Sequence, residues 1–243
     1  MKKSTNGRES KIFWSWGFGR DSTYGIEYSI SQGVDFDVIA SDPGQEMDYT
    51  YESTIPFYRN RWEKQGVKVH IISRDYDIYS HFWNKKMVPL GWANPYCSSH
   101  FKRDLIRSWY RKNFKEFQII EYIGHTFEEL NRIKYNTPKW LTREYPNYDR
   151  QVTKSYIDEY YRTNGLLNPG KSACWFCPNK PLSHFQNLSE DQLDKLIKLE
   201  NNTRGNPKPT LKLEGSLKEL IKLQSSLDDF DWTELNCSSY CYT

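Results

Sequence analysis

Four short apolar runs, KIFWSW (11–16), FDVIAS (36–41), VKVHII (67–72) and FQIIEYIG (117–124), are separated by longer segments with helical character. Runs of this length, rich in β-branched and aromatic residues and bounded by turn residues, read as strands buried on both faces. Strands that alternate with helices leave few topologies open, because a parallel return requires a crossover. The expected fold is therefore an α/β domain of three layers, α/β/α, around a mostly parallel sheet. Residues 22–32 read as the first helix, with Asp21 or Ser22 as its N-cap. Residues 48–65 read as a second that Pro56 must kink or divide, and 101–114 as a third.

After Thr126 the pattern changes. Residues 127–135 and 153–163 read as helices, and the loop LLNPGKSACWFCPNKP (166–181) carries a pair of cysteines. Residues 188–201 and 217–227 read as amphipathic helices around the polar loop NNTRGNPKP, and LNCSSYCYT (235–243) as a polar tail. The expected division is an α/β domain over 1–135 and a helical, cysteine-bearing C-terminal region over 136–243. A chain of 243 residues is long enough for one such core, and its 16% aromatic content makes that core largely aromatic. The net charge, 34 − 31 = +3, tolerates a nucleic-acid partner without demanding one. MKKSTNGRES has no apolar stretch behind its lysines, and no apolar run approaches the roughly 18 residues of a membrane helix. A cytoplasmic protein with no membrane partner is expected.

The stretch FWSWGFGRDST (13–23) places two glycines between the first strand and the first helix. Glycines there let the backbone approach an anion, and the helix's first N–H groups point at it. A Walker A loop needs Gly-Lys-Ser/Thr, and this loop has no lysine. A dinucleotide fingerprint fits Gly17 and Gly19, but Ser22 stands where the third glycine belongs; Asp42, about twenty residues on, keeps that alternative open. A tight turn with no ligand is the bland alternative.

The five cysteines are Cys97, Cys174, Cys177, Cys237 and Cys241. Cys174-Trp-Phe-Cys177 can grip one metal, but a zinc ribbon needs a second such pair and there is none. The remaining candidates are Cys97, Cys237 or Cys241, then His100 and His184. An unmetallated buried pair is the alternative. The run FKRDLIRSWYRKNFK (101–115) carries Lys102, Arg103, Arg107, Arg111, Lys112 and Lys115 with aromatic residues between them. It reads either as a nucleic-acid face or as a solvated face opposite Leu105, Ile106 and Trp109. His125 follows the fourth strand at the edge where ligands bind, whereas His70 lies within a strand.

SWGFGRDST resembles the S-x-G-G-G-x-D-S-T pyrophosphate loop of the adenine nucleotide α-hydrolase-like (PP-loop ATPase) superfamily. Within it the chain is most similar to the phosphoadenosine phosphosulfate (PAPS) reductase family, especially its phage and prophage members. Four later segments follow in order. SDPGQE (41–46) resembles D-T-G-x-E, YCSSHFKRDLIRSW (96–109) resembles C-S-x-x-F-K-x-x-P-I without the proline, EYIGHTFEELNR (121–132) resembles I-G-x-x-x-D-E-x-x-R, and NPGKSACWFCP (168–178) resembles P-K-S-x-C-x-x-C-P. The resemblance implies ATP or PAPS bound by Ser15, Gly17, Gly19, Asp21, Ser22, Thr23, Asp42 and Gly124. It implies charge stabilisation by Lys102 and Arg132, with Arg103 and Arg107 as weaker candidates, and Mg²⁺ at Asp21 or Asp42. It also implies a [4Fe–4S] cluster or zinc at Cys97, Cys174 and Cys177, with Cys241 or Cys237 as a fourth ligand.

The activity so implied is nucleotide activation or sulfur transfer onto a nucleic acid or a small molecule, with a sulfur-donor protein as a further partner. Two alternatives are PAPS reduction through Cys237 or Cys241, although the E-C-G-L-H ending is missing, and a non-catalytic nucleotide-binding accessory module. Phe18 departs from the loop pattern by replacing its middle glycine. A side chain there is expected to restrict the backbone's approach to phosphate.

Overall fold

The computed structural model describes residues 8–90, 96–205, 209–212 and 215–221. The chain divides into two compact units, one from the described residues within 1–79 and 96–175, the other from those within 80–95 and 176–243. The last boundary falls inside the Cys174–Cys177 run.

The first unit holds a five-stranded sheet. In chain order its elements are β1 (Ser10–Trp16), α1 (Arg20–Ser31), β2 (Asp37–Asp42), α2 (Ile55–Glu63), β3 (Val69–Ser73), the start of α3 (Ile78–Lys85), α4 (Asp104–Asn113), β4 (Gln118–Ile123), β5 (Leu141–Glu144), α5 (Pro146–Asp149) and α6 (Lys154–Asn164). Every strand pairing is parallel, and the order is β3-β2-β1-β4-β5. Chain order reverses between β1 and β4, which makes the crevice beyond their carboxyl ends the topological switch point. Residues of β1 alternate between two cores. Trp14 and Trp16 face Tyr24 and Ile26 of α1, Tyr58 and Trp62 of α2, and Ile157 and Tyr161 of α6. Phe13 faces Ile106 and Tyr110 of α4, with Ile39, Ile119 and Leu141 beside it. Helices thus cover both faces of the sheet, and the expected three layers are present.

One carboxylate is built into the first core. Glu27 of α1 is 5% exposed and takes both nitrogens of Arg61, at 2.9 and 3.1 Å, and the Trp62 indole N–H at 2.7 Å. Full pairing is what lets a charge sit there.

Several sequence boundaries move. The first helix starts at Arg20 and its N-cap is Gly19, extended at φ −98°, rather than Asp21 or Ser22. The reason is that the Gly19 carbonyl already accepts from the Thr23 N–H and from the Ser22 and Thr23 hydroxyls. Pro56 does divide its segment: a π-helical turn over Thr50–Thr54 precedes it, and it sits in the first turn of α2, where its missing N–H costs nothing. A second π-helical turn, Ser98–Arg103, leads into α4. Residues 127–135 shorten to one tight helical segment, Phe127–Arg132. WLTREY, not read as a strand, supplies β5, so the sheet runs past residue 135. Four residues with two charged ones carry no alternation of their own; pairing with β4 makes them a strand.

The second unit contains the rest of α3, α7 (Leu182–Gln186) and α8 (Glu190–Asn201). Its buried apolar residues include Phe82, Phe176, Phe185, Leu196, Leu199, Leu211 and Leu217. Glu200 is buried and accepts the N–H groups of Leu211 (2.9 Å) and Leu217 (3.0 Å); burial raises its carboxyl above the ordinary range. Only the first residues of the expected 217–227 helix lie within the described region. No helix among the described residues is long and apolar enough to cross a membrane.

Candidate functional site

The β1–α1 loop lies at the switch point. Its backbone is held from inside. Ser22 Oγ donates to the Gly19 carbonyl at 3.1 Å and accepts the Gly17 N–H at 3.2 Å. Thr23 is fully buried; its hydroxyl donates to the same carbonyl at 2.9 Å and accepts the Trp16 indole N–H at 2.9 Å. The N–H groups of Phe18, Gly19, Asp21 and Ser22 have no acceptor among the described residues. Unsatisfied donors at the start of a helix, beyond the end of a strand, suit an anion.

Phe18 resolves differently from the expectation. It adopts φ +60°, a region that residues other than glycine rarely occupy, so the backbone takes a conformation glycine favours. Its ring turns inward, is 1% exposed, and packs edge-on to Trp16 with centroids 4.8 Å apart. The side chain is part of the core rather than a lid over the loop.

Gly124, at the end of β4, sets how closely α1 approaches. A Cβ built there would lie 2.6 Å from Ser22 Cα, 2.8 Å from Ser22 N and 3.1 Å from the Asp21 carbonyl carbon, all backbone atoms. Asn147 locks the same place by donating to the Asp21 carbonyl at 2.9 Å. After Gly124 come His125 and the segment Phe127–Arg132. Glu129 accepts the Thr126 N–H at 3.2 Å, faces His125 Nδ1 at 3.6 Å and pairs with Arg132 at 2.5 Å. The close approach of His125, followed by the hydrogen bond from Arg132, holds the Glu129 carboxyl well below the usual carboxylate range despite partial burial. Asp21 goes the other way. Burial raises it more than Arg20, 3.1 Å away, lowers it, and the charge on Glu129 pushes in the same direction as burial. Neighbouring carboxylates held in opposite directions mark a place built for chemistry or for cation binding.

A second loop, 168–172, lies on the first. The Arg20 N–H donates to the Gly170 carbonyl at 2.8 Å, Ser172 Oγ donates to the Gly17 carbonyl, and Ser172 N is 3.4 Å from where a Gly19 Cβ would stand. This brings Gly170-Lys171-Ser172 beside a glycine loop that has no lysine of its own. The Gly-Lys-Ser triplet lies about 150 residues along the chain from the loop it contacts.

Other expected residues are placed as follows. Ser15 is in β1, in register with Ile39 and Ile123. Asp42 closes its own turn, accepting the Gly44 N–H and the Tyr51 hydroxyl, each at 2.7 Å. Lys102 Nζ is 3.5 Å from the buried carboxylate of Glu46, which is bridged by its backbone to Cys174. Arg132 is exposed and paired with Glu129. Cys97, Cys174 and Cys177 are partly buried; the first two belong to the first unit and Cys177 to the second. Among the described residues no group of three or more His, Cys, Asp and Glu side chains is placed to hold a metal ion, so no chemistry is assigned through a metal cluster at the cysteines. Cys237 and Cys241 lie outside the described residues.

No family model matches the chain, and no curated protein matches it. Among solved structures it is similar to the PAPS reductase from Candida auris in a phosphate complex, at 12% identity and a TM-score of 0.45 over 65% of this chain and 75% of that one. It is also similar to the U34-tRNA thiolase NcsA from Methanococcus maripaludis with its [4Fe-4S] cluster, at 16% identity and a TM-score of 0.45 over 94% of this chain and 76% of that one. Likeness at this level carries no argument about ligand or reaction, which have to come from the residues themselves.

Proposed function

We propose that this chain is an adenine-nucleotide-dependent enzyme that binds the nucleotide's phosphates in the β1–α1 loop and activates an acceptor by nucleotidyl transfer, in the manner its resemblance to PP-loop enzymes implies. The observation that carries the proposal is the set of four unpartnered N–H groups at the switch point, on a helix whose approach is fixed by Gly124. ATP and PAPS both present the phosphate oxygens such a loop takes. ATP is the nucleotide proposed, because Asp21 and Glu129 stand within electrostatic reach of each other beside the loop. One or two carboxylates together with substrate phosphates are the usual holders of Mg²⁺. Mg²⁺ held there would neutralise charge on the phosphates.

The protein's own contribution is positioning and charge. The loop N–H groups orient the polyphosphate, and Lys171 and Arg132 supply positive charge at its two sides. Attack by an acceptor oxygen on the α-phosphorus would transfer AMP and release pyrophosphate; a sulfur nucleophile would then displace AMP. Cys97, Cys174 and Cys177 are each proposed as sulfur-handling thiols, to be checked by persulfide and thiol analysis of anaerobically purified protein.

Calorimetric titration with ATP and PAPS, with and without Mg²⁺, tests the proposal. ATP should bind more tightly with Mg²⁺, and Lys171→Met should weaken it roughly ten- to hundredfold, as expected for one charge-assisted contact. Absence of binding by any adenine nucleotide would remove it.

A further inference from the structure

The basic run of α4 lies on the sheet face opposite α1, away from the loop. Residues 101–117 carry six basic side chains against two acidic ones. Arg103, Arg107 and Arg111 recur every four residues, so they line one stripe of the helix at steps of about 6 Å. That is the order of separation between neighbouring phosphates along one nucleic-acid strand. Arg143 of β5 joins the stripe from the sheet. Its Nε is 2.8 Å from Glu121, whose other oxygen is 3.5 Å from the Tyr110 hydroxyl of α4.

The charge on this face is only partly met. Asp104 takes Arg103 at 2.9 Å and Glu121 takes Arg143. Arg107 makes no hydrogen bond or ion pair among the described residues, and its Nε is buried without a partner. Burial and the neighbouring Arg143 and Arg103 together lower its basicity. It therefore stands where an added anion would relieve both the unmet donor and the repulsion.

The stripe ends in a pocket of about 240 Å³ lined by Arg8, Tyr110, Arg111, Phe114, Lys115, Glu116, Phe117 and Trp140. The Arg111 guanidinium lies over the Trp140 ring, 5.6 Å from its centroid. Seven of the eight are aromatic or basic side chains that offer a flat face or a cation; Glu116 is the one carboxylate. The combination of a phosphate-spaced stripe and an aromatic recess is that of a single-strand binding groove. A membrane surface would call for apolar residues that protrude, and here the aromatic rings are recessed.

We propose that the α4–β5 face is a docking surface for single-stranded nucleic acid, with phosphates along Arg103, Arg107, Arg143 and Arg111 and a base in the Trp140 pocket. It goes beyond the nucleotide reading and does not depend on it.

The test is fluorescence anisotropy of a labelled single strand of about twelve nucleotides, within the site sizes usual for such grooves, measured without ATP at several salt concentrations. The triple change Arg103→Gln, Arg107→Gln and Arg111→Gln should weaken binding and flatten the log–log salt slope by roughly 2, at about 0.7 per lost phosphate contact. Trp140→Leu should weaken it about tenfold with the slope unchanged, the order expected of one lost stack. Gly124→Ala, which addresses only the nucleotide loop, should bind the strand as wild type does, so failure of the loop reading and failure of this one are separable. Unchanged affinity and slope in the triple variant would overturn the proposal. Equal displacement by polyglutamate, with Trp140→Leu inert, would overturn it in favour of a general polyanion patch. Should a variant melt early, photo-crosslinking of a 4-thiouridine strand to wild-type protein decides. Adducts within 103–117 and 140–143 support the surface, and adducts only elsewhere refute it.

Discussion

Replacing Phe18 separately by alanine and by glycine tests whether the loop holds a strained backbone in exchange for core packing. The residue sits at φ +60° with a ring that is 1% exposed. A left-handed conformation costs a side-chain-bearing residue about 1–2 kcal/mol, whereas burying a phenylalanine contributes about 1.5–3 kcal/mol. The ring therefore offsets the strain. Phe18→Ala loses the packing and keeps the strain, for a cost of about 3–5 kcal/mol. For a chain of this size that lowers the melting temperature by about 6–20 °C. Phe18→Gly loses the same packing but sheds the strain. In an ordinary conformation glycine is about 0.5–1 kcal/mol worse than alanine; here it should be about 1 kcal/mol better, or roughly 2–4 °C higher in melting temperature. The assay is thermal unfolding of the three proteins side by side. A glycine variant clearly less stable than the alanine variant would refute the claim that the loop needs positive φ at this position.

Gly124→Ala should cost about 1–3 kcal/mol, because its clash is with Ser22 and Asp21 backbone that cannot yield without shifting α1; ATP titration should show binding lost beyond what the drop in melting temperature explains. The Asp21 carboxyl is raised by burial, so its ionised form is disfavoured in the folded state and stability grows as pH falls through the raised value. Asp21→Asn should accordingly melt higher than wild type at neutral pH and match it in acid, while losing Mg²⁺-dependent nucleotide binding. Glu129 has the opposite sign: its depressed value adds stability above the ordinary glutamate pKa of about 4.3, which is lost as pH falls below it. Glu129→Gln should melt lower than wild type at pH 7, with the gap closing in acid; a gap that widened would contradict the assignment. Truncating Glu27 to alanine should cost about 1–3 kcal/mol, chiefly by leaving the buried Trp62 indole N–H without its acceptor while the half-exposed Arg61 turns to solvent, read from denaturant unfolding.

Much of this was legible in the chain. The four apolar runs became β1 to β4 because length and β-branched or aromatic composition decide such segments locally. The glycine loop was legible as a strand-to-helix turn, because glycines between an apolar run and a helical segment mark one. What escaped did so for physical reasons. The strand β5 depends on a neighbour and not on its own pattern. The inward turn of Phe18 could not be read, since nothing in a single sequence says which way a side chain at positive φ will face. The pairing of the 168–172 loop with Gly17 and Gly19 is a contact across 150 residues, and local chemistry does not announce its partner. The contacts that Asp42 makes within its own turn and that Lys102 makes with Glu46 are likewise set by neighbours that the local sequence does not name.

The central claim is that the β1–α1 backbone receives phosphate. Backbone-amide NMR of isotopically labelled protein during titration with ATP and Mg²⁺ tests it most directly. The account predicts that the amide resonances of Phe18, Gly19, Asp21 and Ser22 shift most and that their exchange with solvent slows, with Thr23, whose N–H is already bonded to Gly19, moving less. Saturation that left those four amides unmoved while others shifted would contradict it.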